Sequence, residues 1–110
     1  MHGRVRIWYY KQDCSRDMGM GSKFLKRKNL LPDIDDLSKT HCCISDSFMV
    51  NINLDRLFHD YQGFNWSPNG EARDFILSKG LDHTSMSVGD IIQVGDKLYM
   101  VDRFGFFELN

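Results

Sequence analysis

Between residues 4 and 10 the chain reads RVRIWYY, with Val5, Ile7 and Tyr9 alternating against Arg4, Arg6 and Trp8. A period of two in β-branched and aromatic residues predicts a strand. The clearest pattern lies at the other end. Val88 to Val94 is an apolar run, GDK supplies a tight turn, Leu98 to Val101 forms a second run, DRFG turns again, and FFEL closes the series. Three short antiparallel strands in a meander are expected there.

In the middle the period changes. SFMVNI, from Ser47, fits a short strand, after which Asn53 can cap a helix whose Leu54, Leu57, Phe58 and Tyr61 fall at i, i+3, i+4 and i+7. Gly63 is expected to end it. Ser67 then caps a second helix with Pro68 at its first position, Ala72, Phe75 and Ile76 as its buried stripe, and Gly80 after its last turn. Residues 11–46 show no sustained period: Gly19, Gly21 and Pro32 interrupt it, and the charge flips from KFLKRK to DIDD. This reads as a loop-rich insertion, with a short helix over Lys23–Leu31, and its length marks it as a functional loop or an insertion. The expected fold is α+β: one domain over residues 1–110, with a small antiparallel sheet or half-barrel carrying two short helices. Residues 53–110 form its helix-helix-meander module.

A chain of 110 residues has room for one hydrophobic core. Hydrophobic residues at 42% and charged residues at 26% place it among folded globular chains. Fourteen Lys and Arg against fifteen Asp and Glu leave a formal charge of −1, so a basic site has to be local. No apolar run is long enough to cross a bilayer, and MHGRVRIWYY lacks the apolar core and cleavage site of a secretory signal. A cytoplasmic protein without a membrane partner is expected. Cys14 and the adjacent Cys42 and Cys43 are odd in number and lack framework spacing, which predicts free thiols. Neighbouring cysteines also lack the two-to-four-residue spacing of zinc ligands, so no metal is expected, and no sequence feature implies a cofactor.

At HTSMSVGDII followed by KLYMVDRFGFFEL, the chain resembles the YodL-like accessory module of bacterial, phage and mobile-element proteins. The resemblance covers roughly the last thirty residues, and NLDRLFHDYQGFN resembles the helix and turn that precede them in that module. It implies a binding or inhibitory role directed at a host protein and supplies no catalytic residues. A three-residue likeness, VGD, is shared with PUA and ASCH barrels, where such a turn opens a strand lining a nucleic-acid or nucleoside site.

The candidate chemistry is consistent with binding. Asp82, His83, Thr84, Ser85 and Ser87 contain the residue types of a hydrolase, but neighbours in sequence rarely converge as a triad. Their first expected role is to satisfy backbone groups at a helix-to-strand corner. HExxH, GxSxG and phosphate-loop spacings are absent from the sequence, so a non-catalytic protein is expected. The residues expected to touch a partner protein are Lys26 and Arg27 in the basic stretch, Trp66 in the GFNWSPNG turn, and His83, Arg103 and Phe104. The alternative is a small barrel binding a nucleotide or nucleic acid, in which His83, Thr84 and Ser85 bond the ligand and an aromatic ring stacks on it. The oligomeric state is left open by the sequence.

Overall fold

The structure is a computed structural model describing residues 2–110. Five antiparallel strands form one sheet: β1 Gly3–Tyr10, β2 His41–Met49, β3 Ile91–Val94, β4 Lys97–Val101 and β5 Phe106–Glu108, in the order β2-β1-β3-β4-β5. The two terminal regions therefore meet, with β1 inserted between β2 and the meander. Its alternation is realised directly: Val5, Ile7 and Tyr9 are at most 1% exposed. The α+β class is as expected, and the sheet is open, ending at β2 and β5 among the described residues.

Both faces of this sheet are covered. One side packs Val5, Ile7, Tyr9, Ile92, Val94 and Val101 against Ile52, Leu57, Ile76, Leu81 and Met86. These partners come from α3 (Leu54–Asp60), α5 (Arg73–Ser78) and the segments around them, with α4 (Gly63–Trp66) between the two helices. Because successive strand residues point to opposite faces, Ile91, Leu98 and Met100 face the other way, where they meet Met18, Leu25 and Leu37. Those three come from α1 (Ser15–Met18), α2 (Ser22–Arg27) and a 3-10 turn at Leu37–Lys39. Much of the segment read as a loop-rich insertion is thus the second layer of the core, and its last residues belong to β2. The expected helix over Lys23–Leu31 is the shorter α2.

Three boundaries also differ from the sequence reading. β2 begins at His41, pairing Tyr10 with His41 and Gly3 with Met49, with a bulge that leaves Ile44 without a partner. Asn53 caps α3 as expected, its side chain accepting from Arg56 N at 3.0 Å, but Gly63 opens α4 instead of ending a helix. The next helix starts at Arg73, well past Pro68. Gly70 takes φ +80°, and Glu71 accepts from Asn69 N at 2.9 Å, so residues 68–71 form a turn. Ser67 reaches across that turn to accept from Ala72 N at 2.8 Å. Phe75 is 40% exposed and lies outside the buried stripe. Among the described residues, no helix is long and apolar enough to cross a membrane.

Candidate functional site

Two assemblies stand out, one enclosed and one open. The enclosed one is built on Gly89 and Asp90, just before β3. Gly89 takes φ +100°, a conformation that L side chains rarely adopt. Its missing side chain leaves room for the end of α1, since a Cβ there would lie 2.6 Å from the Met18 carbonyl oxygen. The turn is bonded on both sides to β4, by Gly89 N to Val101 O at 2.9 Å and Val101 N to Asp90 O at 2.8 Å.

Asp90 is fully buried. Its carboxylate accepts from Tyr10 N at 3.0 Å and Ser87 N at 2.8 Å, and His83 Nε2 lies 3.0 and 2.9 Å from its two oxygens. The other nitrogen of His83 faces Asp82 at 3.4 Å, and the ring is stacked on Tyr9 at 4.6 Å and Tyr10 at 4.1 Å between centroids. With a carboxylate at each nitrogen, His83 donates twice and carries the positive charge. Burial works against that charge, and the bonds and charges of Asp90 and then Asp82 outweigh it, so the pKa of His83 is raised. Burial pushes Asp90 up to about 6, against the bonds from His83, Ser87 and Tyr10. At neutral pH Asp90 is the carboxylate, because two of its partners are backbone N–H groups that can only donate.

His41 holds the same turn in the opposite charge state. Its Nε2 lies 2.7 Å from Gly89 O, which only accepts, so that nitrogen carries the proton. Nδ1 then accepts from the Thr40 hydroxyl at 2.7 Å. Burial lowers the His41 pKa to about 4, against the raising effect of the Gly89 bond, with the positive charge of His83 adding to the lowering. A depressed histidine pKa means that the unfolded chain binds the proton first as pH falls. The contribution of His41 is present above pH ~6.5 and is lost as pH falls through about 4. The raised pKa of His83 acts in the other direction: its contribution is present below pH ~6.5 and lost as pH rises through the folded value. Urea unfolding of wild type and His41→Gln isolates the first effect. Between pH 7 and pH 4 the wild type is expected to lose about 3 kcal/mol more than the variant. Parallel profiles would contradict the neutral assignment.

The polar corner preceding this turn is bonded internally. The Thr84 carbonyl accepts from Tyr9 OH at 2.7 Å and from Trp66 Nε1 at 2.9 Å. Ser85 Oγ accepts from Gly63 N at 2.7 Å, and Ser87 OH donates to the Ser85 carbonyl at 2.9 Å. Trp66 is half-buried against Tyr61. His83, Trp66, Thr84 and Ser85 therefore join α4 to β1 and β3. His83 and Trp66, expected as partner contacts, direct their polar atoms to bonds within the chain. Among the described residues, every buried side-chain nitrogen or oxygen has a partner.

The open assembly lies between α2 and the β4–β5 turn. It is a groove of about 760 Å³ lined by Met20, Phe24, Arg27, Arg103 and Phe104, with Lys23 at its side. Asp102 fixes its floor: Oδ1 accepts from Ser22 N at 3.0 Å and Arg103 N at 2.8 Å, and Oδ2 accepts from the Ser22 hydroxyl. Burial opposes ionisation of Asp102, but these bonds prevail and hold its pKa below the usual carboxylate range. Gly21, at φ +91°, allows the close approach, because a Cβ there would lie 2.9 Å from Arg103 Cγ. Arg27 covers the Phe24 ring at 5.9 Å. Phe104 is 94% exposed.

Arg27, Arg103 and Phe104, three residues singled out in the sequence, thus converge across 76 positions of chain or more. Lys26 is exposed on the same helix, outside the groove lining. Met20 escaped the sequence reading because it lies in no periodic stretch, and Phe24 entered it only as the aromatic neighbour within the basic stretch KFLKRK. Among the cysteines, Cys42 packs on one core layer and Cys14 on the other, while the Cys43 thiol points to the Ser45 carbonyl at 3.4 Å. No family model, no curated protein and no solved structure matches this chain.

Proposed function

We propose that the protein is a small non-catalytic interaction protein, cytoplasmic and of phage or mobile-element type, that binds and modulates a host protein through the groove between α2 and the β4–β5 turn. The observation that carries this reading is Phe104. At 94% exposure, on the tip of a turn whose base is fixed by Asp102, its ring is available to a partner. Flanked by Arg103 and facing Arg27, it has the composition of an interface anchor. The YodL-like resemblance of the C-terminal residues points to the same kind of role. The rival nucleotide reading has less support, because His83 Nε2, the Thr84 carbonyl and Ser85 Oγ are already bonded within the chain.

The test compares tagged wild type with Arg103→Ala/Phe104→Ala on a bacterial lysate, with retained protein and nucleic acid quantified from the same eluate. One stoichiometric protein is expected on the wild type. Burying one Phe side chain is worth about 2 kcal/mol, so its retention by the variant should fall roughly thirtyfold. The variant's unfolding free energy should stay within about 0.5 kcal/mol of wild type, since both side chains are exposed. Equal retention by the two proteins, or nucleic acid alone, would remove this reading.

A further inference from the structure

The chemistry of the groove narrows the kind of partner segment it can take. Its lining combines Met20, Phe24 and Phe104 with Lys23, Arg27 and Arg103. The one carboxylate of the lining, Asp102, is spent on Ser22 and the Arg103 backbone. The groove is therefore locally cationic in a chain whose formal charge is −1. Two smaller depressions adjoin it. A depression of about 390 Å³ shares Met20 and Phe24 with it and adds Arg16 and Asp17, while another of about 230 Å³ shares Asp102 and Arg103 and adds Asp55, Phe58 and Phe106. The two adjoin different residues of the groove, which leaves room for a segment longer than the groove, and the acidic residues of that segment belong in the groove itself because Asp17 and Asp55 line the adjoining two.

We infer that this groove takes an extended acidic segment of a partner protein, with one large apolar side chain seated beside Met20 and Phe104 and carboxylates paired with Arg27 and Arg103. The inference rests on the interaction reading above and specifies its chemistry. Guanidinium groups match carboxylates bidentately, and Arg27 lies over Phe24, which limits the positions it can take. A single-stranded nucleic acid would also meet cations here, but it needs successive exposed rings for its bases. Phe24 is half-buried and covered by Arg27, which leaves Phe104 as the freely exposed ring of the lining.

The folded protein, immobilised, would be panned against a phage-displayed library of random 16-residue peptides and separately against a random single-stranded oligonucleotide pool. Arg27→Glu/Arg103→Glu and Phe104→Ala serve as counter-screens, each checked for an unchanged melting curve. Selected peptides should carry two or more Asp or Glu around a Phe, Trp, Leu or Met. In fluorescence anisotropy the leading peptide should lose roughly thirtyfold or more in affinity on the double reversal, and several-fold, about three to ten, when salt is raised from ~50 to ~300 mM. Selection of neutral or basic peptides, peptides indifferent to the reversal, oligonucleotides, or nothing would overturn the inference. The two levels fail separately. Neutral peptides that need Phe104 would leave the interaction reading standing, whereas acidic peptides selected without any lysate partner would leave the groove chemistry standing and remove the host-protein reading.

Discussion

Replacing Asp90 with alanine is expected to lower the unfolding free energy by about 3–5 kcal/mol, the range for removing one partner of a buried ion pair. The carboxylate is fully buried and satisfies Tyr10 N and Ser87 N as well as His83. Its loss orphans two backbone N–H groups and leaves an imidazolium between two tyrosine rings with only Asp82 as counter-charge. Asn is not a full substitute. Its amide nitrogen would have to face one of the N–H donors, so Asp90→Asn should recover only part of the loss. Since a domain of this size commands about 5–15 kcal/mol in total, the alanine variant should sit near its unfolding midpoint under mild urea. A loss under about 1 kcal/mol would mean that the pair is not enclosed as described.

Gly89→Ala should be nearly as damaging for a different reason. At φ +100° an L residue is strained, and its Cβ would lie 2.6 Å from the Met18 carbonyl oxygen and 2.9 Å from its carbon. Both obstacles are backbone, so relief requires α1 to lift from the sheet. Strain and overpacking together suggest about 3–5 kcal/mol. Gly95→Ala provides the control: at φ +61° with no neighbour within 4 Å of its Cβ, only the backbone cost of about 1 kcal/mol applies. Comparable losses for the two in urea titrations would contradict the close approach at Met18. Lifting α1 should also disturb the groove, because Met20 and Phe24 follow directly from it in sequence.

How much of this could be read from the chain depended on whether the signal was local. The strand over residues 4–10 and the C-terminal meander were legible because each carries its own alternation. β2 was placed too late because His41, at 1% exposure, is a buried polar residue, while the remainder of HCCISDSFM lies at most partly buried along a sheet edge. Neither fits a binary pattern. The second core layer was missed because Met18, Leu25 and Leu37 each come from a different short turn, so no window contains a helical period. The polar corner before β3 was recognisable as a corner from its Ser, Thr and Asp content. Its ion pair was not, although His83 and Asp90 are only seven residues apart, because the enclosure that brings them together depends on Tyr10 bonding Asp90 across 80 residues and on His41 reaching Gly89 across 48. Arg27, Arg103 and Phe104 could be singled out by residue type and turn position, but their convergence depends on Asp102 bonding Ser22 over the same distance of 80 residues.

The most direct measurement of the central claim is amide hydrogen exchange on the protein alone and in complex with the partner it retains from lysate. Added protection is expected in residues 20–27 and 102–106, with the corner at residues 82–90 already slow to exchange in the free protein and unchanged on binding. Protection that appears instead at residues 82–87, with the groove segments unaffected, would contradict the groove as the binding face and return the polar corner as the site.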